Sequence, residues 1–421
     1  MMFFGGAVVL ATFALIIKKY EARMVLFAAG LIMCLVGGAV NDLINTFTQT
    51  MVHKTLVPTI CSVMGFSFVM KYTQCDRHLV TAISSVITKV QFIIIPMAML
   101  LTWWINIAIP SAAGCAAAVG SILIPTMMAA GVHPAMAASA VMAGTWGSAI
   151  SPGTSHNPVV AKLANTDVMT VIMNEAPAAI ITSFIVVAAI TVVSVVLKEG
   201  PSEERRLAYA AAQEGGEVEE FHVNPIKALV PLIPLVMLIL GSKQVAILPA
   251  TNVQTAMVTG VLASLIVTMS NPQEVTKEFF KGMGEGYGSV IGLIIAAAVF
   301  TAGMKAVGLT GALIDLMKGS ESIAKIAGAF GTYIIAIVSG SGDAAALAFN
   351  GAITPHAEKF GMTIMNLGSL AQMSGAIGRS MSPVAGAAII CAGMANVSPM
   401  DIAKRNAIPM LIGVISFMLL F

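Results

Sequence analysis

Long apolar runs, each ended by a few polar or charged residues, make up most of this 421-residue chain. Many of the runs extend over about 15 to 25 residues, the length that an α-helix needs to cross the hydrocarbon core of a bilayer. They lack the alternation over about ten residues that is typical of a membrane β-barrel. Because only helices satisfy their own backbone hydrogen bonds in lipid, the pattern predicts an all-α integral membrane protein.

The first half of the chain, residues 1–197, is predicted to contain scaffold spans, one helical hairpin and one broken helix. Small and turn-forming residues at 110–114 divide an apolar stretch and predict a re-entrant hairpin over 92–129. A Gly/Ser/Pro break at 147–158 interrupts the next helix, which covers 135–163. The other predicted elements of this half are an amphipathic segment at 79–90 and spans at 4–17, 24–40, 56–70 and 171–197.

A polar segment at 198–227 follows and is predicted to be a cytoplasmic linker. Beyond it, residues 228–421 contain the same series of elements. A second hairpin is predicted over 323–354, with its turn at 339–343, and a second broken helix over 363–395. The other predicted elements are spans at 228–240, 253–269 and 289–307, an amphipathic segment at 309–317 and a final span that ends at 421.

An internal repeat relates the two halves. The Ser-Pro pairs at Ser151 and Ser382 lie 231 positions apart, and nine identical residues fall within 28 positions at that offset. Each half contains five predicted full spans, so the second half enters the membrane from the opposite side. The sequence therefore predicts two inverted repeats of five transmembrane helices, each with a re-entrant hairpin and a discontinuous helix.

Composition supports the membrane class, since 57% of the residues are hydrophobic and only 10% are charged. The net charge of +2 gives no reason to expect nucleic-acid binding. Lysine and arginine concentrate in loops near 18–23 and 71–77, in the linker, and near 277–281 and 404–405, all on one predicted side. Because basic loops face the cytoplasm, both termini are predicted to be external. The loops on the opposite side, at 41–54, 174–175 and 241–252, are poor in basic residues and are predicted to be external as well.

The chain lacks the motifs of common enzyme classes. It contains no ATP-binding P-loop, no HExxH zinc motif and no GxSxG nucleophile elbow. Its five cysteines are scattered through apolar runs without metal-ligand spacing, which indicates core residues rather than disulfides or ligands. We therefore expect neither an enzyme nor a cofactor. The first apolar run has no basic residue before it and is predicted to be an uncleaved span.

The four turns and breaks are the candidate binding site. Helix ends in the membrane leave backbone N–H and C=O groups that need a ligand, and paired interruptions in two halves indicate a transporter site at the bilayer midplane. The alternative is that small residues merely let helices pack closely. The candidate substrate-binding residues are Ser111, Gly114, Ser151, Thr154, Ser155, Asn157, Ser341, Gly342, Arg379, Ser380 and Ser382.

Three titratable residues stand in or beside these breaks. Arg379 is predicted to anchor a substrate carboxylate, with a salt bridge to Asp343 as the alternative. Asp343 is predicted to bind a coupling proton or sodium ion, with a helix N-cap as the alternative. His156 is either a second proton carrier or a hydrogen-bonded structural residue. A sodium ion would bind near Ser111, Ser151, Ser339 and Asp343.

Three sequence blocks at 339–345, 378–386 and 392–399 resemble the C-terminal half of the anaerobic C4-dicarboxylate uptake C (DcuC-type) transporters. Residues 111–114 and 150–160 resemble the same family more loosely, and the wider relationship is to the ion transporter superfamily. The resemblance implies a multi-pass protein of the bacterial cytoplasmic (inner) membrane and a homodimer with a moving, elevator-type transport domain. It also implies uptake, efflux or exchange of succinate, fumarate or malate.

The coupling ion follows less directly from the resemblance. Sodium-coupled members of the superfamily carry a Ser-Asn-Thr turn in each hairpin, whereas the turns here begin Ser-Ala-Ala-Gly at 111 and Ser-Gly-Ser-Gly-Asp at 339. This departure favours proton-linked symport or exchange, with Asp343 and His156 as carriers. The alternatives are a sodium-coupled transporter of another carboxylate or amino-acid-like anion, and an anion channel that uses the same helix ends.

Overall fold

The fold is described from a computed structural model, which covers residues 1–18, 20–54, 56–87, 93–212, 221–241, 246–249, 251–317 and 320–421. The first residue of the predicted first hairpin, at 92, and the middle of the predicted linker lie outside these ranges. Within the described residues the regular structure is helical, with no strand. The all-α class predicted from the sequence is confirmed.

The first half forms a series of helices joined by short turns. The two arms of the predicted first hairpin are Ile94–Ala108 and Ala112–Ala129. The first broken helix consists of Pro134–Gly144, a 3₁₀ turn at Gly147–Ile150 and His156–Leu163. The other helices of this half are Met2–Ile17, Ala22–Val36, Val40–Met51, Leu56–Tyr72, Cys75–Ile87 and Val168–Val196.

The second half contains the corresponding elements. Its hairpin consists of Glu321–Ser339, which includes a π-helical turn, and Gly342–Ala352. The second broken helix consists of Ile364–Arg379 and Gly386–Ala395. The predicted linker contains the helix Glu203–Ala212. The other helices of the second half are Pro225–Leu240, which begins in the linker, Val253–Thr268, Pro272–Ala306, Leu309–Met317 and Pro399–Leu420, with a 3₁₀ segment at Thr354–Phe360.

Local sequence explains the sharp turns of both hairpins. In the first, Ser111 lies before a helix and its side chain accepts a hydrogen bond from the Gly114 N–H. In the second, Gly340 has a φ of +75°, which ends the preceding helix in the left-handed conformation that glycine tolerates. Ser341 then caps the next helix by accepting a hydrogen bond from the Ala344 N–H. Both turns therefore place a helix N-terminus at the tip of a hairpin.

Five described helices are long and apolar enough to cross a membrane, or six if the bent pair Val40–Met51 and Leu56–Tyr72 counts as one span. Several shorter apolar helices of 10–17 residues accompany them. Examples are Ile94–Ala108, one arm of the first hairpin, and Gly386–Ala395, one segment of the second broken helix. The protein is therefore a multi-pass membrane protein by length and composition. The ten full spans and the inverted repeat stay predictions.

Three segments differ from the sequence-based expectation. The predicted external loop after residue 40 contains the amphipathic helix Val40–Met51, because Leu43 packs against Cys34 and Val299. Residues 272–288, predicted to precede a span, continue it as one helix through a π-helical turn. Glu175, predicted to lie in an external loop, lies inside Val168–Val196, because Asp167 caps that helix seven residues before Asn174.

The hairpins pack against the broken helices in a crossed pattern. The first arm of the first hairpin packs on Pro134–Gly144, and its second arm packs on Gly386–Ala395. In the second hairpin, Thr332–Ser339 packs on Ile364–Arg379, and Gly342–Ala352 contacts His156–Leu163. Each hairpin therefore contacts the broken helices of both halves, and the four interruptions come together in one region of the protein.

Candidate functional site

A cavity of about 380 Å³ lies where the first hairpin turn, both breaks and the second hairpin helix meet. Larger cavities of about 450, 570 and 850 Å³ lie elsewhere and are lined by Arg23, Lys162 and Asp42, respectively, among others. Only the 380 Å³ cavity, within the described part of the chain, brings the predicted residues of both halves together. Its predicted lining residues are Ser111, Thr154, Ser155, His156, Asp343 and Arg379.

An acidic and a basic side chain from opposite halves face each other in this cavity. His156 begins the second segment of the first broken helix, and Asp343 lies in the first turn of Gly342–Ala352. The His156 Nδ1 atom is 3.3 Å from the Asp343 Oδ1 atom, and the Ser155 hydroxyl donates to Asp343 Oδ2 at 3.4 Å. The His156 side chain is 3% exposed, whereas that of Asp343 is 45% exposed. Asp343 therefore presents its carboxylate to the cavity.

The N-cap alternative for Asp343 is wrong, because the cap of its helix is Ser341. The carboxylate is therefore not used to satisfy the end of its own helix. The first turns of two helices, at His156 and at Asp343, line the same cavity, and each helix N-terminus carries a partial positive charge that favours an anion. The cavity thus combines donors for an anion with one carboxylate that can bind a cation or a proton.

Arg379 is the last residue of Ile364–Arg379 and lines the same cavity. One Nη atom donates to the Thr145 carbonyl oxygen at 2.7 Å, which fixes the guanidinium against the first broken helix. Its Nε atom is buried and has no hydrogen-bond partner among the described residues. The alternative salt bridge to Asp343 does not form. Among the described residues, the basic side chain within ion-pair distance of the Asp343 carboxylate is His156, not Arg379. A buried donor of this kind is satisfied when a water molecule or a ligand supplies the acceptor.

Seven other predicted binding residues do not line the cavity but shape its walls. Ser380 Oγ lies 3.2 Å from Thr145 Oγ1, so the two breaks touch through their hydroxyl groups. A Cβ atom on Gly342 would lie 2.6 Å from the Gly375 carbonyl oxygen, so glycine allows the hairpin to approach the broken helix. The remaining five bond to backbone or side-chain groups close to their own turns: Gly114, Ser151, Asn157, Ser341 and Ser382.

Only two of the four residues predicted to bind a sodium ion line the 380 Å³ cavity. Ser111 and Asp343 line the cavity, but Ser151 lies outside its lining, and Ser339 is engaged with its own turn through the Ser341 N–H at 3.2 Å. No group of three or more His, Cys, Asp or Glu side chains that could hold a metal ion occurs in the described ranges. The five cysteines are free and buried.

Sequence reasoning missed a buried polar cluster next to the first break. Glu175 and Gln372 are both 0% exposed, and the Gln372 side-chain amide donates to the Glu175 carboxylate. The signal was present, because Glu175 is the only charged residue between 168 and 196. It was overlooked because Asn174 and Glu175 were assigned to a loop. Asn106 is a second omission, since its side-chain oxygen accepts from the Ser148 N–H at the break.

Comparison with known proteins gives consistent relatives. An uncharacterized transporter of Haemophilus influenzae is 40% identical over 275 residues, which cover 64% of this chain and 98% of that protein. The anaerobic C4-dicarboxylate transporter DcuC of Escherichia coli K12 is 32% identical over 139 residues, covering 32% of this chain and 30% of that protein. The YdaH transporter of Alcanivorax borkumensis shares the fold, with a TM-score of 0.60 at 14% identity over 91% of this chain and 88% of that chain.

A family model described as the C4-dicarboxylate anaerobic carrier, DcuC, matches residues 2–421. The match covers both hairpins, both broken helices and the last helix, and it confirms the resemblance seen in the sequence blocks. The family consists of membrane transporters rather than enzymes, and its bacterial members together with the apolar helices support a multi-pass protein of the inner membrane. This chain belongs to the DcuC family of C4-dicarboxylate carriers.

Proposed function

We propose that this protein is a secondary active transporter that carries C4-dicarboxylates such as succinate, fumarate and malate by ion-coupled symport or exchange. One observation carries the proposal: the Arg379 side chain lines the 380 Å³ cavity together with the His156–Asp343 pair. The guanidinium and the two helix N-termini suit an anion, and the carboxylate suits a proton or a cation.

Coupling follows from the charges in the cavity. A substrate carboxylate that binds Arg379 lies in the same cavity as the Asp343 carboxylate, and two like charges in one cavity repel each other. Binding of a proton or a cation at Asp343 removes this repulsion. His156, 3.3 Å from Asp343, shares the proton in the proton-linked case. Anion and coupling ion therefore bind together, which is the requirement for symport.

The predicted architecture supports alternating access. Each hairpin contacts the broken helices of both halves in the same crossed order, which supports two inverted repeats around the cavity. In this proposal the hairpins and broken helices, 92–163 and 323–395, form a transport domain that moves as an elevator. The other helices form the scaffold of a homodimer, the segment 198–227 is a cytoplasmic linker, and both termini are external.

The test is uptake into proteoliposomes that contain the purified protein. We expect saturable accumulation of labelled succinate or fumarate when a proton gradient is imposed, together with counterflow when unlabelled substrate fills the vesicles. A sodium gradient alone should drive less accumulation. Flux that neither saturates nor shows counterflow would identify an anion channel, and absence of dicarboxylate flux under both gradients would refute the proposal.

A further inference from the structure

A single carboxylate, that of Glu175, is buried between the scaffold helix Val168–Val196 and the two broken helices. The Gln372 side-chain nitrogen lies 2.9 and 3.1 Å from the two Glu175 oxygens, and 2.6 Å from the Asn157 side-chain oxygen. All three side chains are 0% exposed. The carboxylate therefore contacts the Gln372 amide, with the Ser369 hydroxyl also close to it, and the Gln372 amide contacts a second amide in the other broken helix.

No basic group compensates this carboxylate within the described residues. The elements packed against Val168–Val196 carry a small set of titratable side chains, and each has another environment. Arg379 bonds to Thr145, Arg405 pairs with Glu199, and His156 faces Asp343. The others, none of which forms an ion pair with Glu175, are Lys162, Asp401 and Lys404. An unpaired carboxylate in a membrane interior is costly unless it is neutralised, and such residues mark ion or proton pathways.

The cluster is connected to the break that lines the cavity. The Asn157 side-chain nitrogen donates to the carbonyl oxygens of Ala149 at 2.8 Å and Ser151 at 2.9 Å. It also lies 3.3 Å from the Thr154 hydroxyl, which lines the cavity. Asn157 therefore holds together the two sides of the first break. Its orientation depends on Gln372, because the Asn157 oxygen accepts from the Gln372 nitrogen.

Protonation of Glu175 would reverse this chain of hydrogen bonds. A carboxylate only accepts hydrogen bonds, and the observed orientation, with the Gln372 nitrogen toward it, matches that state. A protonated carboxyl group donates through its O–H and still accepts through its carbonyl oxygen. When the O–H is directed at Gln372, that side chain turns to present its oxygen, which is buried without a partner in the described structure. Asn157 must turn in response, and its nitrogen then leaves the carbonyl oxygens at the break.

We propose that Glu175 is a proton-binding site, distinct from Asp343, whose protonation is transmitted through Gln372 and Asn157 to the first break and so changes substrate affinity. The inference rests on the proposed function, in which transport is ion-coupled. The proton comes from water on one side of the membrane and returns to water on the other. The direct contact of the Gln372 nitrogen with both carboxylate oxygens favours a proton over a sodium ion, which requires several oxygen ligands in its place.

The test combines infrared spectroscopy with succinate binding to the purified full-length protein. In a pH titration we expect a carbonyl band of a protonated carboxylic acid that Asp343→Asn retains and Glu175→Gln loses, which distinguishes it from any band of Asp343. The control Asp315→Asn, where an exposed carboxylate is removed, also retains it. We expect the dissociation constant of succinate to change by up to about tenfold per pH unit in the wild type. Glu175→Gln should flatten this dependence.

Gln372→Leu separates proton binding from its transmission. This variant should keep the infrared band of Glu175 but lose the pH dependence of succinate binding, because the connection to Asn157 is removed. The proposal is overturned if Glu175→Gln keeps the band, if it keeps the wild-type pH slope, or if the Glu175 signal responds to sodium at constant pH. If the wild type binds no dicarboxylate, the proposed function fails, while the infrared band still decides whether Glu175 binds a proton.

Discussion

Replacement of Arg379 by lysine tests the anchor for the substrate carboxylate. The change keeps the positive charge but removes the planar fork, including the buried Nε donor and the bond to the Thr145 carbonyl oxygen. A hydrogen bond to a charged group contributes about 1.5–3 kcal/mol. Loss of one such bond to the substrate corresponds to a weakening of roughly 10- to 150-fold.

The assay is equilibrium binding of labelled succinate or fumarate, accompanied by thermal unfolding in detergent. Arg23→Lys is the matched control, because Arg23 is exposed and pairs with Glu21 away from the cavity. We expect Arg379→Lys to raise the dissociation constant by at least about tenfold. Loss of the bond to the Thr145 carbonyl oxygen should also lower the thermal stability, so affinity is compared at a temperature where unfolding shows the variant to be folded. An affinity within twofold of the wild type would refute the role of Arg379 as anchor.

Two further predictions concern the second hairpin. Asp343→Asn keeps the shape of the side chain but removes its charge, so succinate binding should lose its dependence on the coupling ion; proteoliposome uptake with unchanged proton and sodium dependence would exclude Asp343 from coupling. Gly375→Ala would place a Cβ atom 2.8 Å from the Gly342 carbonyl oxygen and should destabilise the protein by about 1–3 kcal/mol. The control Gly393→Ala, whose Cβ atom would have nothing within 4 Å, should leave the stability unchanged. Thermal unfolding of both variants measures the difference, and equal midpoints would contradict the prediction.

The fold was predictable where local signals and apolar length agree. Turn residues and caps at Ser111 and Ser341 end one helix and begin the next at both predicted turns, 110–114 and 339–343. Helix boundaries in polar segments were not predictable in the same way. The helix Val40–Met51 has few apolar residues, and its existence depends on the packing of Leu43 against a helix about 250 residues away in the chain.

The residues of the candidate site likewise fall into those that local sequence signals identify and those that depend on tertiary contacts. Thr154, His156, Asp343 and Arg379 could be chosen because charged or polar residues beside helix breaks are unusual in apolar segments. Whether Ser341 lines a cavity or caps a helix depends on its rotamer and its packing, and the hydrophobic pattern of the sequence does not specify either. The pairing of Glu175 with Gln372 depends on contact between residues 197 positions apart, so no local signal specifies it.

The first break also has a consequence for biosynthesis. Its polar groups are satisfied by residues made much later: Gln372 is 215 positions from Asn157, and Ser380 is 235 positions from Thr145. When the first broken helix enters the membrane, these partners have not yet been synthesised. Water, lipid headgroups or the insertion machinery must then solvate the break until the second half arrives. Assembly of the two halves is therefore a late and shared step, and a nascent chain that stops before residue 372 leaves the centre of the protein unfinished.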